Sequence, residues 1–292
     1  MVTALKTSIN ILLVFLFTAC TSVPDERMTP YVDFPETREL TARTLSLDSA
    51  LFRYPYRVRV QDDKAVVLDL HGTEYFFHAF HYPGFHYLSS FGKRGDAPEE
   101  MLSAENLRWN GNFLWTLDSN KSELTRLGFA SSGDSLLRLE TVSLDEEQLR
   151  ALDFVQYDDS TFIIPDYSGD GRFCLVSRQG RLLRKIGTIP TTNEDALKNA
   201  RPALAQAWRS FIDYNPRNGV LAAVTQLGEV LEIYNLKDST HIVRIGPNGE
   251  PEFQISQGYG IPTGIMGFSD IQVTDSAIYV VFQGRAFKDI MQ

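Results

Sequence analysis

An all-β chain assembled from repeated small antiparallel sheets is what this sequence predicts, and three observations carry the prediction. From about residue 50 onward, short apolar runs are cut by Gly, Asp and Asn about every 8–12 residues, the punctuation of strands joined by tight turns. The runs also recur. Val66-Val67-Leu68-Asp69, Phe113-Leu114-Trp115-Thr116, Phe162-Ile163-Ile164-Pro165-Asp166, Leu221-Ala222-Ala223-Val224 and Ile278-Tyr279-Val280-Val281 superpose, and taking Val67, Leu114, Ile163, Ala222 and Tyr279 as equivalent gives steps of 47, 49, 59 and 57 residues. Third, one unit displays the whole plan: strands over 153–157, 161–166, 172–177 and 181–186, with hairpin-sized turns at 158–160, 168–171 and 179–180.

Four short strands per period near 40–50 residues are the mark of β-propeller blades. A blade cannot bury both of its faces alone, so blades pack side by side around an axis. The long step into the fourth unit predicts a helical insertion near 192–208. There Thr192 or Asn193 serves as N-cap, Glu194 and Asp195 lie in the first turn, and Ala196, Leu197 and Ala200 repeat at helical spacing until Pro202 interrupts them. Four full blades and two strands of a fifth (268–273 and 277–283) fit between residues 50 and 292. Six blades at this period need about 300 residues. The expectation is therefore a propeller of six-bladed type that is incomplete, with an open blade edge available for self-association and with parts of Phe52, Tyr279 and Phe282 exposed on the unpartnered faces.

The N-terminus reads differently. Lys6 is the only charge before an apolar run over 9–17 broken by Asn10, and the small residues Thr18 and Ala19 stand directly before Cys20. This layout predicts a signal peptide over 1–19 with lipid attachment at Cys20. The apolar run is too short for a membrane-spanning helix, which needs about 20 residues. Residues 20–45, punctuated by Pro24, Pro30 and Pro35, read as a tether, with an N-terminal strand joining a sheet as the alternative; 46–292 form the propeller domain. The expected location is the cell envelope, anchored through the lipid to the outer membrane.

Net charge is -9, and loss of the leader removes Lys6 and no acid. So acidic a chain has no electrostatic attraction for nucleic acid. Once Cys20 is acylated, Cys174 stands alone, so an internal disulfide is not expected. It lies in Phe173-Cys174-Leu175-Val176, apolar surroundings that predict a buried thiol with no catalytic role.

The lipobox-like Phe17-Thr18-Ala19-Cys20, the Leu88-Ser-Ser-Phe-Gly-Lys-Arg-Gly95 stretch followed by Pro98-Glu99, the Ala207-Trp208-Arg-Ser-Phe-Ile-Asp-Tyr-Asn-Pro216 segment and Ile278-Tyr-Val-Val-Phe-Gln-Gly284 resemble the TolB-like six-bladed β-propeller family of Bacteroidetes-type lipoproteins. The resemblance covers most of the chain from Leu51 onward. It implies a shape and an exported location rather than a reaction.

Candidate chemistry is sparse. His71, His78, His81 and His86 are close in sequence, yet His78 and His81 would point to opposite faces of one strand and His86 lies beyond the Pro83-Gly84 break, so no metal is expected from them. Asp166, Ser168 and Asp170 match the first half of a calcium loop, but Ser177 stands where a bidentate Glu belongs, and a hairpin turn is the simpler reading. Gly258, Gly260 and Gly264 lack dinucleotide spacing. No Gly-x-Ser-x-Gly elbow or His-Glu-x-x-His pair occurs. Asp62, Asp63, Asp158 and Asp159 recur before strands, which indicates turn chemistry. Trp109, Trp115 and Trp208 read as filling between blades, with a glycan- or peptide-binding wall as the alternative. No cofactor and no catalytic residue is assigned. The reading is a lipid-anchored binding or interaction scaffold for a glycan, peptide or protein ligand, more a binder than an enzyme. The alternative is a glycan lyase or hydrolase with catalytic groups from separate blades.

Overall fold

The computed structural model describes residues 29–45, 47, 52–148 and 150–290; the signal segment and Cys20 lie outside them. The first blade is β2 (Pro55–Gln61), β3 (Lys64–Asp69), β4 (Tyr75–His81) and β5 (His86–Lys93). The second is β6 (Ala104–Asn110), β7 (Phe113–Asp118), β8 (Glu123–Phe129) and β9 (Leu136–Ser143). The third is β10 (Val155–Asp158), β11 (Thr161–Pro165), β12 (Phe173–Ser177) and β13 (Leu182–Ile186). After α1 (Glu194–Asn199) and α2 (Arg201–Ala207) comes the fourth: β14 (Ser210–Asn215), β15 (Val220–Thr225), β16 (Val230–Asn235) and β17 (Thr240–Ile245). A hairpin, β18 (Phe253–Ser256) and β19 (Tyr259–Pro262), precedes the two-stranded fifth unit, β20 (Ile265–Val273) and β21 (Ile278–Ala286), and the short α3 (Phe287–Ile290). Each of the four blades pairs its strands antiparallel in sequence order. Four antiparallel blades and a two-stranded fifth unit, as read from the sequence, are thus what the described residues form. The end units are not left apart, however: the first blade and the fifth unit meet at their inner strands.

The second strands start at Lys64, Phe113, Thr161, Val220 and Ile278. Against these starts Leu114 and Tyr279 are equivalent, whereas Ile163 and Ala222 fall one place late and Val67 two. Uninterrupted apolar runs offer no internal landmark, so superposition by hydrophobicity slips; the turn before each strand is the better anchor. Pro202 does not simply end a helix. Asn193 caps α1 as expected, its side chain accepting Ala196 N–H, while Pro202 sits in the first turn of α2, where its missing N–H costs nothing. The hairpin β18–β19 was not anticipated. It lies on α2 so closely that a Cβ at Gly260 would come 2.4 Å from the Ala203 carbonyl oxygen.

Within the segment expected as tether, β1 (Thr29–Pro30) pairs in parallel with the outer strand β17 of the fourth blade, and Tyr31 N–H donates to Ile245 O at 2.9 Å. Residues 32–45 are exposed and carry no regular structure.

Apolar side chains from successive units interlock. Val66, Leu68 and Phe77 meet Leu107 and Leu114. Trp115 and Leu124 meet Phe154, Phe162 and Val176, with Trp115 edge-on to Phe162 at 4.9 Å. Ile163 and Phe173 meet Ile212 and Leu221, and Phe211 and Val224 meet Phe268 and Ile271. The helical insertion buries Leu204 and Trp208 against Val230 and Val243. Full burial of each such side chain contributes about 1.5–3 kcal/mol. The fifth unit and the first blade meet differently, through Tyr56 and a set of charged inner-strand residues. Beyond that contact Tyr279 is 63% and Phe282 39% exposed, as the sequence led one to expect, while Phe52 is half-buried against His78 and Phe80.

Candidate functional site

On or just before each unit's first strand stands a charged residue, and the fold brings these together. Arg108 on β6 donates from Nη2 to Asp153 (3.1 and 3.2 Å) just before β10, and from Nη1 to Asp213 (2.9 Å) on β14. A side chain of the second blade can reach the third and fourth only if the first strands surround a common axis. Asp153 in turn accepts the Ile212 N–H at 2.9 Å and Asp213 the Val273 N–H at 2.6 Å, each bond linking one unit to the next. From the first blade, Arg57 donates to Ser269 O and Arg59 holds Asp270. Three guanidinium groups from blades one and two thus oppose three carboxylates from units three to five. Burial pushes the Asp213 carboxyl up, opposed by the charges of Arg108 and Arg59 and the Val273 N–H. Asp270 goes the other way: burial alone would raise it, but the Arg59 hydrogen bonds and the charges of Arg57, Arg59 and Arg108 hold it at about 2.

This cluster fills the axis, and a cavity of about 520 Å³ opens beside it. Gln61, Asn110, Asp158, Asn215 and Val273, the last residues of the five first strands, all line it, so the cavity is the mouth of the axis at that end. Arg108 and Asp213 reach it from the charged cluster. Its walls are aromatic: Tyr157 and Tyr214 from adjacent blades stand 5.4 Å apart at 48°, and Trp109 is held by a bond from Nε1 to Arg59 O (3.3 Å) while stacking on Phe129. Asp158 and Asp159 sit exposed on the rim. Aromatic faces beside amides and carboxylates suit a ligand that offers both apolar ring faces and many hydroxyl groups.

The residues singled out from sequence have other roles or places. Asp166, Ser168 and Asp170 do converge, but on the Lys185 ammonium: Nζ lies 2.6 Å from Ser168 Oγ, 3.3 Å from Asp166 and 3.4 Å from Asp170. Asp166 also accepts the Ser168 and Gly171 N–H groups, the hairpin-turn role expected of it. Asp69 and Asp118 end the second strands of their blades in the same manner, buried and accepting backbone N–H groups from Arg53, Tyr54 and Leu102. In the first two blades the Asp thus ties the entering chain to the end of the second strand, whereas Asp166 bonds within its own turn.

The four histidines do not converge. His78 is buried with Nδ1 2.8 Å from Ser90 Oγ, His81 faces Asp63, His71 lies against Tyr54, and His86 is exposed. Cys174 is buried, and burial, followed by Asp166, pushes its thiol up to about 12. Trp115 and Trp208 are buried between elements as expected, whereas Trp109 is half-buried at the mouth. Asp158 accepts the Ser160 N–H at 2.8 Å, the expected turn chemistry, and lines the cavity as well. The axial residues themselves were missed. The signal was at least one charge on or just before each unit's first strand.

A family model described as TolB-like 6-blade propeller-like matches residues 33–292. Among solved structures, an exported protein of Bacteroides fragilis is similar at 12% identity and a TM-score of 0.55, over 89% of this chain and 75% of its own. A member of the DUF4221 family from Bacteroides vulgatus is similar at 12% identity and a TM-score of 0.48, over 78% of this chain and 67% of its own. No curated protein matches the sequence. At such identities the structural likeness concerns the fold.

Proposed function

Starting from a chain that belongs to the TolB-like 6-blade propeller-like family, we propose that it is an exported, lipid-anchored protein of the cell envelope that binds a small hydroxyl-rich ligand, a carbohydrate in kind, at the axial mouth. The observation that carries this reading is the cavity of about 520 Å³ where five first strands end, walled by Trp109, Tyr157 and Tyr214 and edged by amides. Export and anchoring are supported by the leader ahead of Cys20 and by the description of the Bacteroides fragilis neighbour as exported.

Binding is favoured over glycan cleavage by the state of Asp213. It is the carboxyl with a raised pKa at the mouth, the kind of group a general acid requires. Both of its oxygens, however, are occupied, one by Arg108 and the other by the Val273 N–H. It therefore serves as a strut between blades.

Calorimetric titration of the purified protein with a panel of oligosaccharides and peptides tests the reading. A saccharide should bind without turnover, and Trp109→Ala should abolish binding while leaving the fold intact. Binding unaffected by that substitution, or release of product at a measurable rate, would count against it. Cys20→Ser should free the protein from detergent-extracted membranes or leave it unprocessed; an unchanged membrane fraction would refute the anchor.

A further inference from the structure

The charges at the axial mouth are unevenly balanced. Both cations that line it are already matched by the chain's own carboxylates: Arg108 by Asp153 and Asp213, and Arg217 by Asp275 at 2.9 Å. The rim carboxylates are less closely matched: among the described residues neither Asp158 nor Asp159 enters an ion pair, and the nearby Arg178, which donates to the Asp159 carbonyl at 2.9 Å and feels the Asp159 charge, spends its Nε and Nη2 on Glu140 at 2.7 and 2.6 Å. Asp158 stays ionised, since the hydrogen bonds from Ser160 and Thr161 outweigh its desolvation. The Asp159 carboxylate makes no hydrogen bond among the described residues.

A second, independent feature is an acceptor without a donor. Gln156 lines the cavity; its Nε2 donates to Asp158 O at 3.0 Å, and its Oε1 is buried with no hydrogen-bond partner among the described residues. A buried acceptor left unpaired is costly, and a small side-chain rotation would offer it to a ligand N–H. The aromatic wall completes the picture. Tyr157 directly precedes Asp158, and the Asp158 charge is felt at the Tyr214 hydroxyl, whose pKa is raised first by burial and then by Tyr157 and Asp158. Ring faces flanked by unpaired carboxylates favour a cation.

We infer that the axial mouth selects a saccharide bearing a positively charged amine, an amino sugar, with Asp158 and Asp159 as its counter-charges, Gln156 Oε1 as an acceptor for its N–H and the Tyr157–Tyr214 wall as the face it covers. This rests on the axial-mouth reading above. Anionic sugars are disfavoured by the same two carboxylates.

The experiment compares three trisaccharides of one length, a glucosamine trimer, its fully N-acetylated counterpart and a galacturonate trimer, titrated into the full chain. The glucosamine trimer should bind about tenfold more tightly than the acetylated one, more weakly as salt is raised, and the galacturonate trimer should not bind. Asp158→Asn with Asp159→Asn should bring the two glucosamine-based affinities together. Asn at 158 still accepts the Ser160 N–H, so the turn is kept, and Asp159→Asn alone, which removes no bond, should already reduce the preference. Equal affinities for the two glucosamine-based trimers, both abolished by Trp109→Ala, would overturn the amine selectivity and leave the axial site standing. A preference that survives the double substitution would overturn the assignment to these carboxylates, and failure of all three trimers to bind would overturn the site together with its selectivity.

Discussion

Arg59 of the first blade grips Asp270 of the fifth unit with both terminal nitrogens, each 2.7 Å from a carboxylate oxygen, across a separation of 211 residues. The pair is largely shielded, with 14% of the arginine and 26% of the aspartate side chain exposed. It ties together the two ends of the blade series, where apolar packing is thinnest. Asp270 has a folded pKa of about 2 against an ordinary 3.8. A carboxyl depressed on folding stabilises the protein above its unfolded pKa, and that stability is lost as pH falls through the folded value.

Asp270→Asn should therefore cost about 2 kcal/mol at neutral pH. The wild type should lose this increment between about pH 4 and pH 2, while the variant should show a flatter acid limb. Urea unfolding at a series of pH values measures both, and parallel loss in the two proteins would contradict the assignment.

The second strut lies deeper. Arg172 and Glu232 join blades three and four with side chains 1% and 0% exposed; Nη2 lies 2.5 Å from Oε1 and Nε 3.0 and 3.1 Å from the two oxygens. Ser210 Oγ, Trp208 O and the Tyr234 hydroxyl complete the network. Removing one partner of such a pair leaves a buried charge unmatched. Glu232→Ala is expected to destabilise by about 3–5 kcal/mol, and Arg172→Met combined with Glu232→Met by clearly less. If the double variant is the less stable of the two, the pair contributes more than mutual neutralisation.

Much of the fold was legible because blades are local. The four strands of the third blade match their sequence reading to within two residues, since each pairs with its neighbour through a short turn. Gly180 is one such turn; at φ 82°, a Cβ there would fall 1.8 Å from Ser143 O of the preceding blade. The axial site was not legible, for it is assembled from the ends of strands as far apart as Gln61 and Val273. Which side chain of an alternating strand faces the axis depends on how neighbouring blades seat. Trp109 illustrates the difficulty: both it and Trp115 line the cavity, yet Trp115 is buried in the core between the second and third blades while Trp109 stays half-buried.

Cys174 provides a simple probe of blade three. Its thiol is pushed up to about 12, first by burial and then by Asp166, so almost none is thiolate at neutral pH. Thiol reagents should label the native protein very slowly at this position and rapidly after denaturation. Fast labelling of the folded chain would mean that the third blade opens locally.

The last expectation concerns β21, which among the described residues pairs only with β20. It spans nine residues, with Tyr279 63% and Val281 57% exposed, and Arg285 is its only charged side chain. A long apolar edge with so little charge is a template for pairing with another chain. We expect concentration-dependent association through this edge. It should be weakened at low ionic strength by the mutual repulsion of chains of net charge -9 and strengthened as salt screens that repulsion. Tyr279→Lys is the discriminating variant. Residue 279 pairs across the ladder with Gln272, so the substitution leaves Val281 opposite Asp270 and the Arg59 contact undisturbed. Sedimentation velocity over a hundredfold concentration range should show the wild type shifting to larger species and Tyr279→Lys remaining monomeric. A wild type that stays monomeric throughout, or a variant that associates equally, would exclude β21 as the contact.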